Sequence, residues 1–133
     1  MKINIMAEEK RKILVVDDDS FLLDMYALKF SQNNFEVYSA LSGKEAIEKL
    51  QGGIKPDVIL MDVIMPGMDG FEMLQKINEG KLSENSIKII LSNKGQQSDI
   101  DTGVSLGAAG YIVKANSTPT EVIQKVNEIL AKK

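Results

Sequence analysis

Two short apolar runs in this chain stop at carboxylates. Ile13-Leu14-Val15-Val16 leads into Asp17-Asp18-Asp19, and Val58-Ile59-Leu60-Met61 leads into Asp62. A third run, Ile89-Ile90-Leu91, ends at Ser92, and a fourth, Tyr111-Ile112-Val113, ends at Lys114. Runs of this length between turn signals read as buried strands. Four strand ends would then bring acidic, hydroxyl and ammonium groups to one edge of a sheet. A free Asp, with a pKa of about 3.9, is ionised at neutral pH. Two such charges 4 Å apart repel by about 4 kcal/mol at an effective dielectric of about 20. Three together need a cation, and Mg²⁺ suits an all-oxygen site that bridges carboxylates to phosphate. An ionised Asp is also a nucleophile that needs no general base. The set therefore fits metal-assisted phosphoryl transfer to a carboxylate, with Ser92 donating to a phosphoryl oxygen and Lys114 supplying a point charge.

Composition narrows the alternatives. The chain has 133 residues, within the range of one domain, and 44% hydrophobic residues, enough for a core. It has no Cys and no His, so disulfides, thiolate or imidazole zinc sites, Ser-His triads and phosphohistidine on this chain are excluded. The net charge of −3 gives no global attraction for nucleic acid. No apolar run approaches the ~18 residues needed to span a bilayer. After Met1, the first eleven residues hold only Ile3, Ile5 and Met6 as large apolar side chains, so no signal peptide is expected. A soluble, cytoplasmic protein is expected, without membrane contact or direct binding to nucleic acid.

The elements that must carry these groups alternate. The pattern predicts strands near 12–16, 36–40, 58–62, 88–91 and 110–113. It predicts helices near 20–32, 42–51, 70–79, 98–106 and 118–131. The first helix shows Phe21, Met25 and Leu28 at helical spacing; the last shows Val122, Val126 and Ile129, joined by Ile123 and Leu130. Ser42-Gly43-Lys44-Glu45 and Thr118-Pro119-Thr120-Glu121 read as capping boxes. Gly52-Gly53 and Gly107 read as helix exits. Alternating strands and helices argue for an α/β domain with helices on both faces of a parallel sheet. Five units fit the flavodoxin-like (βα)5 order 2-1-3-4-5, in which ligands bind at the carboxyl edge between strands 1 and 3. Asp17, Asp18 and Asp62 fall there. The expected division is an N-terminal extension over 1–10, flexible, and one domain over 11–133. A strand-terminal Asp also serves as an ordinary helix cap, which would suffice for one of Asp17, Asp18 or Asp19, and Asp69 reads as loop or helix-start geometry rather than as a metal ligand. Met61, Met65, Met68 and Met73 read as packing residues.

With these residues in order, the chain resembles a receiver domain of the two-component response regulators, in the single-domain chemotaxis-like form. The resemblance rests on Ile13 to Asp19, Pro56 to Asp62, Met65-Pro66-Gly67-Met68-Asp69-Gly70, Ile89 to Ser92, Gly107-Ala108 and Tyr111 to Lys114. It covers about residues 11–131. It implies a signalling switch phosphorylated on Asp62 in a Mg²⁺-dependent reaction. By the same resemblance Asp18 ligates Mg²⁺ directly, Asp17 often does so through water, and the backbone carbonyl of Ile64 is the third protein ligand. Ser92 is the switch hydroxyl, Tyr111 the aromatic residue that turns inward on activation, and Lys114 the phosphate-binding lysine. A histidine kinase or histidine phosphotransfer protein is the implied donor, and an output protein on the 98–113 face the implied receiver of the signal. Beyond self-phosphorylation and slow self-dephosphorylation, no enzyme activity is implied.

Other readings are a receiver-like interaction module that no longer uses phosphate, and an aspartyl-phosphate phosphatase. The intact acidic set argues against the first. The second usually has an Asp two residues after the nucleophile, where this chain has Ile64. Two positions depart from the receiver pattern. Ala115 stands where Pro usually follows the lysine, often through a cis bond. Before a non-proline residue a cis bond costs about 2.5–4 kcal/mol, so a trans bond with a re-routed loop or a rare strained cis bond is expected. Asn93 stands where a small residue usually follows the switch hydroxyl; it would narrow phosphate access or bond to the phosphoryl group.

Overall fold

The structure, a computed structural model, describes residues 10–132. The expected extension over 1–10 thus lies, apart from Lys10, outside the described residues. Five strands alternate with five helices: β1 (Arg11–Val16), α1 (Ser20–Gln32), β2 (Phe35–Ala40), α2 (Gly43–Gln51), β3 (Val58–Met61), α3 (Gly70–Glu79), β4 (Ile87–Ser92), α4 (Gln97–Ser105), β5 (Gly110–Val113) and α5 (Pro119–Ala131). A 3-10 turn over Lys114–Asn116 follows β5. The strands pair in parallel in the order β2-β1-β3-β4-β5, as the alternation predicts.

Period-2 alternation splits each strand between two cores. Ile13, Val15, Val58, Leu60, Ile89, Leu91 and Ile112 face one side and pack with α1 and α5 residues. Leu14, Val16, Ile59, Met61 and Ile90 face the other and pack with α2 and α3. Covered on both faces, β1 from Ile13 onward and the whole of β3 are apolar up to their carboxyl ends, and the acidic residues follow where the chain leaves the sheet. Met61, Met65 and Met73 are buried and Met68 packs against them, the packing role expected of them.

The α1 stripe is a correction. Phe21 and Leu28 are exposed, at 79% and 60%. The sheet side is instead Leu23, Tyr26 and Phe30, with Phe30 edge-on to Phe35 at 5.1 Å. The helix is apolar nearly all round (Phe21, Leu22, Leu23, Met25, Tyr26, Ala27, Leu28, Phe30), so spacing alone offered more than one stripe. In α5, Val122, Ile123, Val126 and Leu130 are buried and Ile129 packs at the margin.

Caps account for the helix starts. Asp19 accepts from the N–H groups of Phe21 and Leu22 at 3.0 and 3.2 Å, and Asp69 from Glu72 N–H at 2.8 Å. Thr118 and Glu121 form the expected reciprocal box. The Ser42 box is only half formed. Ser42 accepts from Glu45 N–H at 3.1 Å, but the Glu45 carboxylate takes the N–H of Leu41 at 2.7 Å, one residue too early. Gly53 and Gly107 have φ of +110° and +96°, the left-handed geometry of helix exits.

Candidate functional site

Pairing of β1 with β3 places Val16 beside Met61, so the next residues, Asp17 and Asp62, leave the sheet together. Ser92, the last residue of β4, is fully buried and pairs with Val113, which delivers Lys114 one residue later. The expected residues therefore converge. Lys114 Nζ lies 2.7 Å from Asp17 Oδ2 and 2.7 Å from Asp62 Oδ2. The three side chains are almost shielded from solvent, with Lys114 at 11% exposure.

Backbone groups hold the carboxylates in place. Asp62 Oδ1 accepts from the N–H groups of Val63 and Ile64, at 2.6 and 3.1 Å. This leaves Oδ2 as the oxygen directed at the lysine. Asp17 Oδ1 accepts from Asp19 N–H at 2.9 Å. Asp19 thus caps α1 with its side chain and anchors Asp17 with its backbone. Burial pushes the Asp17 carboxyl above its ordinary pKa, more than the bonds from Lys114 and Asp19 pull it down. Burial also works against the Lys114 ammonium, but the bonds to Asp17 and Asp62 outweigh it and hold its pKa above the ordinary lysine value.

Asp17, Asp18 and Asp62 each present one oxygen, and the three lie within 4.8 Å of one another. Asp18 is exposed while the other two are buried. Three carboxylates against one ammonium leave a formal charge of −2. All-oxygen donors with that charge fit a hard divalent cation of the Mg²⁺ kind.

Next to this cluster lies the loop after β4. Ser92 Oγ accepts from Lys94 N–H at 3.2 Å. The Tyr111 hydroxyl donates to the Lys94 carbonyl, and Lys94 Nζ stands 3.8 Å from Asp99 Oδ1. One residue therefore touches both the expected switch hydroxyl and the expected aromatic partner. Burial, then Asp99, then Asp62 push the Tyr111 phenol above its ordinary pKa. Ile64 is 58% exposed beside Asp62. No peptide bond among the described residues is cis, so the Lys114–Ala115 bond is trans and the strained alternative is set aside. The Asn93 side chain accepts from Ala115 N–H at 2.9 Å.

Sequence reasoning missed Gly70. A Cβ there would lie 2.1 Å from the Asp62 carbonyl oxygen and 2.8 Å from Val63 Cα. The start of α3 is therefore seated directly on the backbone that carries Asp62, and Gly70 N–H donates to the Val63 carbonyl at 2.9 Å.

An α/β sheet of this order with an acidic cluster, a hydroxyl and a lysine at its carboxyl edge defines a flavodoxin-like domain with a ligand site at its topological switch point. The response regulator receiver domain family matches residues 13–127, and the chain belongs to that family. Receiver domains are phosphate-accepting signalling domains of two-component systems, acting with histidine kinases and output domains, and binding Mg²⁺ at an acidic pocket. The chain is 32% identical over 120 residues to the chemotaxis protein CheY of Thermotoga maritima, covering 90% of this chain and 97% of that protein. It is 34% identical to the alkaline phosphatase synthesis transcriptional regulatory protein PhoP of Bacillus subtilis, again over 90% of this chain but only 48% of that protein. Among solved structures, the chemotaxis protein CheY4 of Vibrio cholerae superposes with a TM-score of 0.83 at 28% identity, covering 90% of this chain and 98% of that one. No helix among the described residues is long and apolar enough to cross a membrane.

Proposed function

We propose that this protein is a cytoplasmic phosphorylation switch that takes a phosphoryl group on Asp62, with Mg²⁺ held by Asp17, Asp18, Asp62 and the Ile64 carbonyl. The bridging of Asp17 Oδ2 and Asp62 Oδ2 by Lys114 Nζ, 2.7 Å from each, is the observation that carries this reading. Bound Mg²⁺ would neutralise charge on the transferring group. Asp62 Oδ2 forms the new bond to phosphorus, and the bond from phosphorus to the donor breaks. The leaving group keeps that electron pair and takes its proton from solvent. The Val63 and Ile64 N–H groups orient the nucleophile through Oδ1. Lys114 already stands beside Oδ2, where a phosphoryl oxygen would develop charge. Ser92 Oγ would leave the Lys94 N–H to donate to a second phosphoryl oxygen. Tyr111, whose hydroxyl bonds to the Lys94 carbonyl, would then lose its present partner and turn inward. The physiological donor is a histidine kinase or phosphotransfer protein, and the output partner binds the 98–113 face, where Val104 is exposed. Incubation with Mg²⁺ and phosphoramidate tests this reading: intact mass should gain one phosphoryl group in the wild type and none in Asp62→Asn. A wild type that gains nothing would refute it.

Two smaller effects follow from the same site. A ligand that binds only the folded state stabilises it by about 2.7 kcal/mol at one hundred times Kd. Mg²⁺ should therefore raise the melting temperature of the wild type by several degrees. Asp18→Ala should lose most of that rise and, relieved of one repelling carboxylate, melt higher than wild type without Mg²⁺. An unchanged wild-type melting temperature across millimolar Mg²⁺ would contradict the ion site.

Self-dephosphorylation should be slow. Hydrolysis needs a water held in line with phosphorus, and the exposed Ile64 beside Asp62 offers it no hydrogen bond. Lys94, two residues after the Ser92 hydroxyl as Ile64 is two after Asp62, is a charged donor directed toward Asp99. Ile64→Asn should shorten the phosphate lifetime several-fold, read by the decay of the phosphorylated mass. An equal or longer lifetime would place the control of water elsewhere.

A further inference from the structure

The two departures from the receiver pattern, Asn93 and Ala115, meet in space. We propose that Asn93 is a positioning residue for Lys114, acting through the Ala115 amide; the inference rests on the phosphoacceptor role of Asp62. With Ala rather than Pro after the lysine, the chain keeps an N–H in the first turn of the 3-10 segment Lys114–Asn116. Such first-turn N–H groups have no partner within their own helix. Asn93 Oδ1 takes this one at 2.9 Å, from a loop 22 residues earlier in the chain.

The clasp is part of a longer contact between two loops. Ser92 pairs with Val113 at the end of the sheet. Beyond that pair, Asn93 holds Ala115, the Lys94 carbonyl holds the Tyr111 hydroxyl, and Gly95 closes on Val113. A Cβ at Gly95 would come within 2.7 Å of Val113 Cγ2, so any larger residue there would push the Val113 side chain aside. Three consecutive residues after the switch hydroxyl therefore grip the end of β5 and the turn that carries Lys114.

The Lys114 side chain has four methylenes and could reach many positions; entropy opposes any single one. Its ammonium must nevertheless sit 2.7 Å from both carboxylates. The peptide between Lys114 and Ala115 sets the direction in which that stem leaves the backbone. Fixing its N–H fixes the root of the stem. A proline fixes the same segment through its ring; Asn93 does so through a hydrogen bond. An amide also suits the place better than a carboxylate, which would repel an arriving phosphoryl group.

A double-mutant cycle on the full chain reads this directly. The probe is beryllofluoride with saturating Mg²⁺, titrated by calorimetry. Asn93→Ala should bind it about three- to tenfold more weakly, the scale of one exposed hydrogen bond. Mg²⁺ affinity measured without beryllofluoride should not fall, because Asn93 touches none of the three carboxylates and a loosened Lys114 ammonium competes less for Asp17 and Asp62. In the Ala115→Pro background, which has no N–H to hold, Asn93→Ala should have no further effect. Hydrogen exchange of the Ala115 amide should quicken in Asn93→Ala, which settles the matter if Ala115→Pro fails to fold. An equal loss in both backgrounds would overturn the proposal and show that Asn93 acts on the phosphoryl group itself. So would quickened exchange with unchanged beryllofluoride affinity. A wild type that neither binds beryllofluoride nor takes phosphate would instead overturn the role of Asp62.

Discussion

Lys114→Ala will lower phosphorylation of Asp62 from phosphoramidate by about 10²–10³-fold, the scale of removing one preorganised charged donor from a developing oxyanion. The expectation rests on placement. Lys114 Nζ stands 2.7 Å from Asp62 Oδ2 in a site nearly closed to water, where a point charge acts at low dielectric. Lys114→Arg should recover little of the loss, because a planar fork cannot occupy the compact position between two carboxylates. The substitution should also move Asp17. Burial already pushes its carboxyl upward, and the Lys114 bond is the first of the interactions that pull it down. With that bond gone and burial retained, the Asp17 pKa should climb further, visible in carboxyl carbon shifts across a pH titration. Phosphorylation within tenfold of wild type in Lys114→Ala would remove the lysine from the chemistry.

Gly70→Ala will destabilise the fold by about 3 kcal/mol or more, the upper range for overpacking. Two effects compete at this position. Ala is the better helix former by about 1 kcal/mol, which favours the variant. Against it, the added Cβ would lie 2.1 Å from the Asp62 carbonyl oxygen and 2.9 Å from its carbonyl carbon. Those atoms are backbone at the end of a central strand and cannot swing aside as a side-chain tip could. The steric effect wins, and whatever relief occurs must move Asp62 relative to Lys114. A lower denaturation midpoint should therefore accompany slower phosphorylation. Equal or higher stability would show that α3 can slide along β3 without disturbing the site.

The strand ends, order of elements and acidic cluster were legible because each rests on local pattern. Val58 to Met61 is buried on both faces and Asp62 is the first residue past the sheet, so composition changes where geometry does. Asp69 and Thr118 declared helix starts through side chains that bond three residues away. What stayed hidden depends on distance or on surplus. α1 carries apolar residues on nearly every side, and only the sheet decides that Leu23, Tyr26 and Phe30 face inward. Gly70 reads only as the first residue of the helix over 70–79; its contact with Asp62 comes from the docking of α3. Asn93 and Ala115 each stood out as a departure from pattern, yet their pairing spans 22 positions and leaves no periodic trace. The Glu45 carboxylate chose Leu41 over Ser42 through loop geometry that a four-residue motif does not encode.

The central claim is that Asp62, and no other carboxylate of the cluster, accepts the phosphoryl group. Asp17 and Asp18 lie close enough to be rivals, within the same 4.8 Å cluster. Borohydride reduces an acyl phosphate to the alcohol and leaves free carboxylates intact. Protein phosphorylated with phosphoramidate and Mg²⁺, trapped in this way and digested, should carry homoserine at position 62 and unmodified aspartate at 17 and 18. Homoserine at 17 or 18, or phosphoryl gain that survives in Asp62→Asn, would contradict the account.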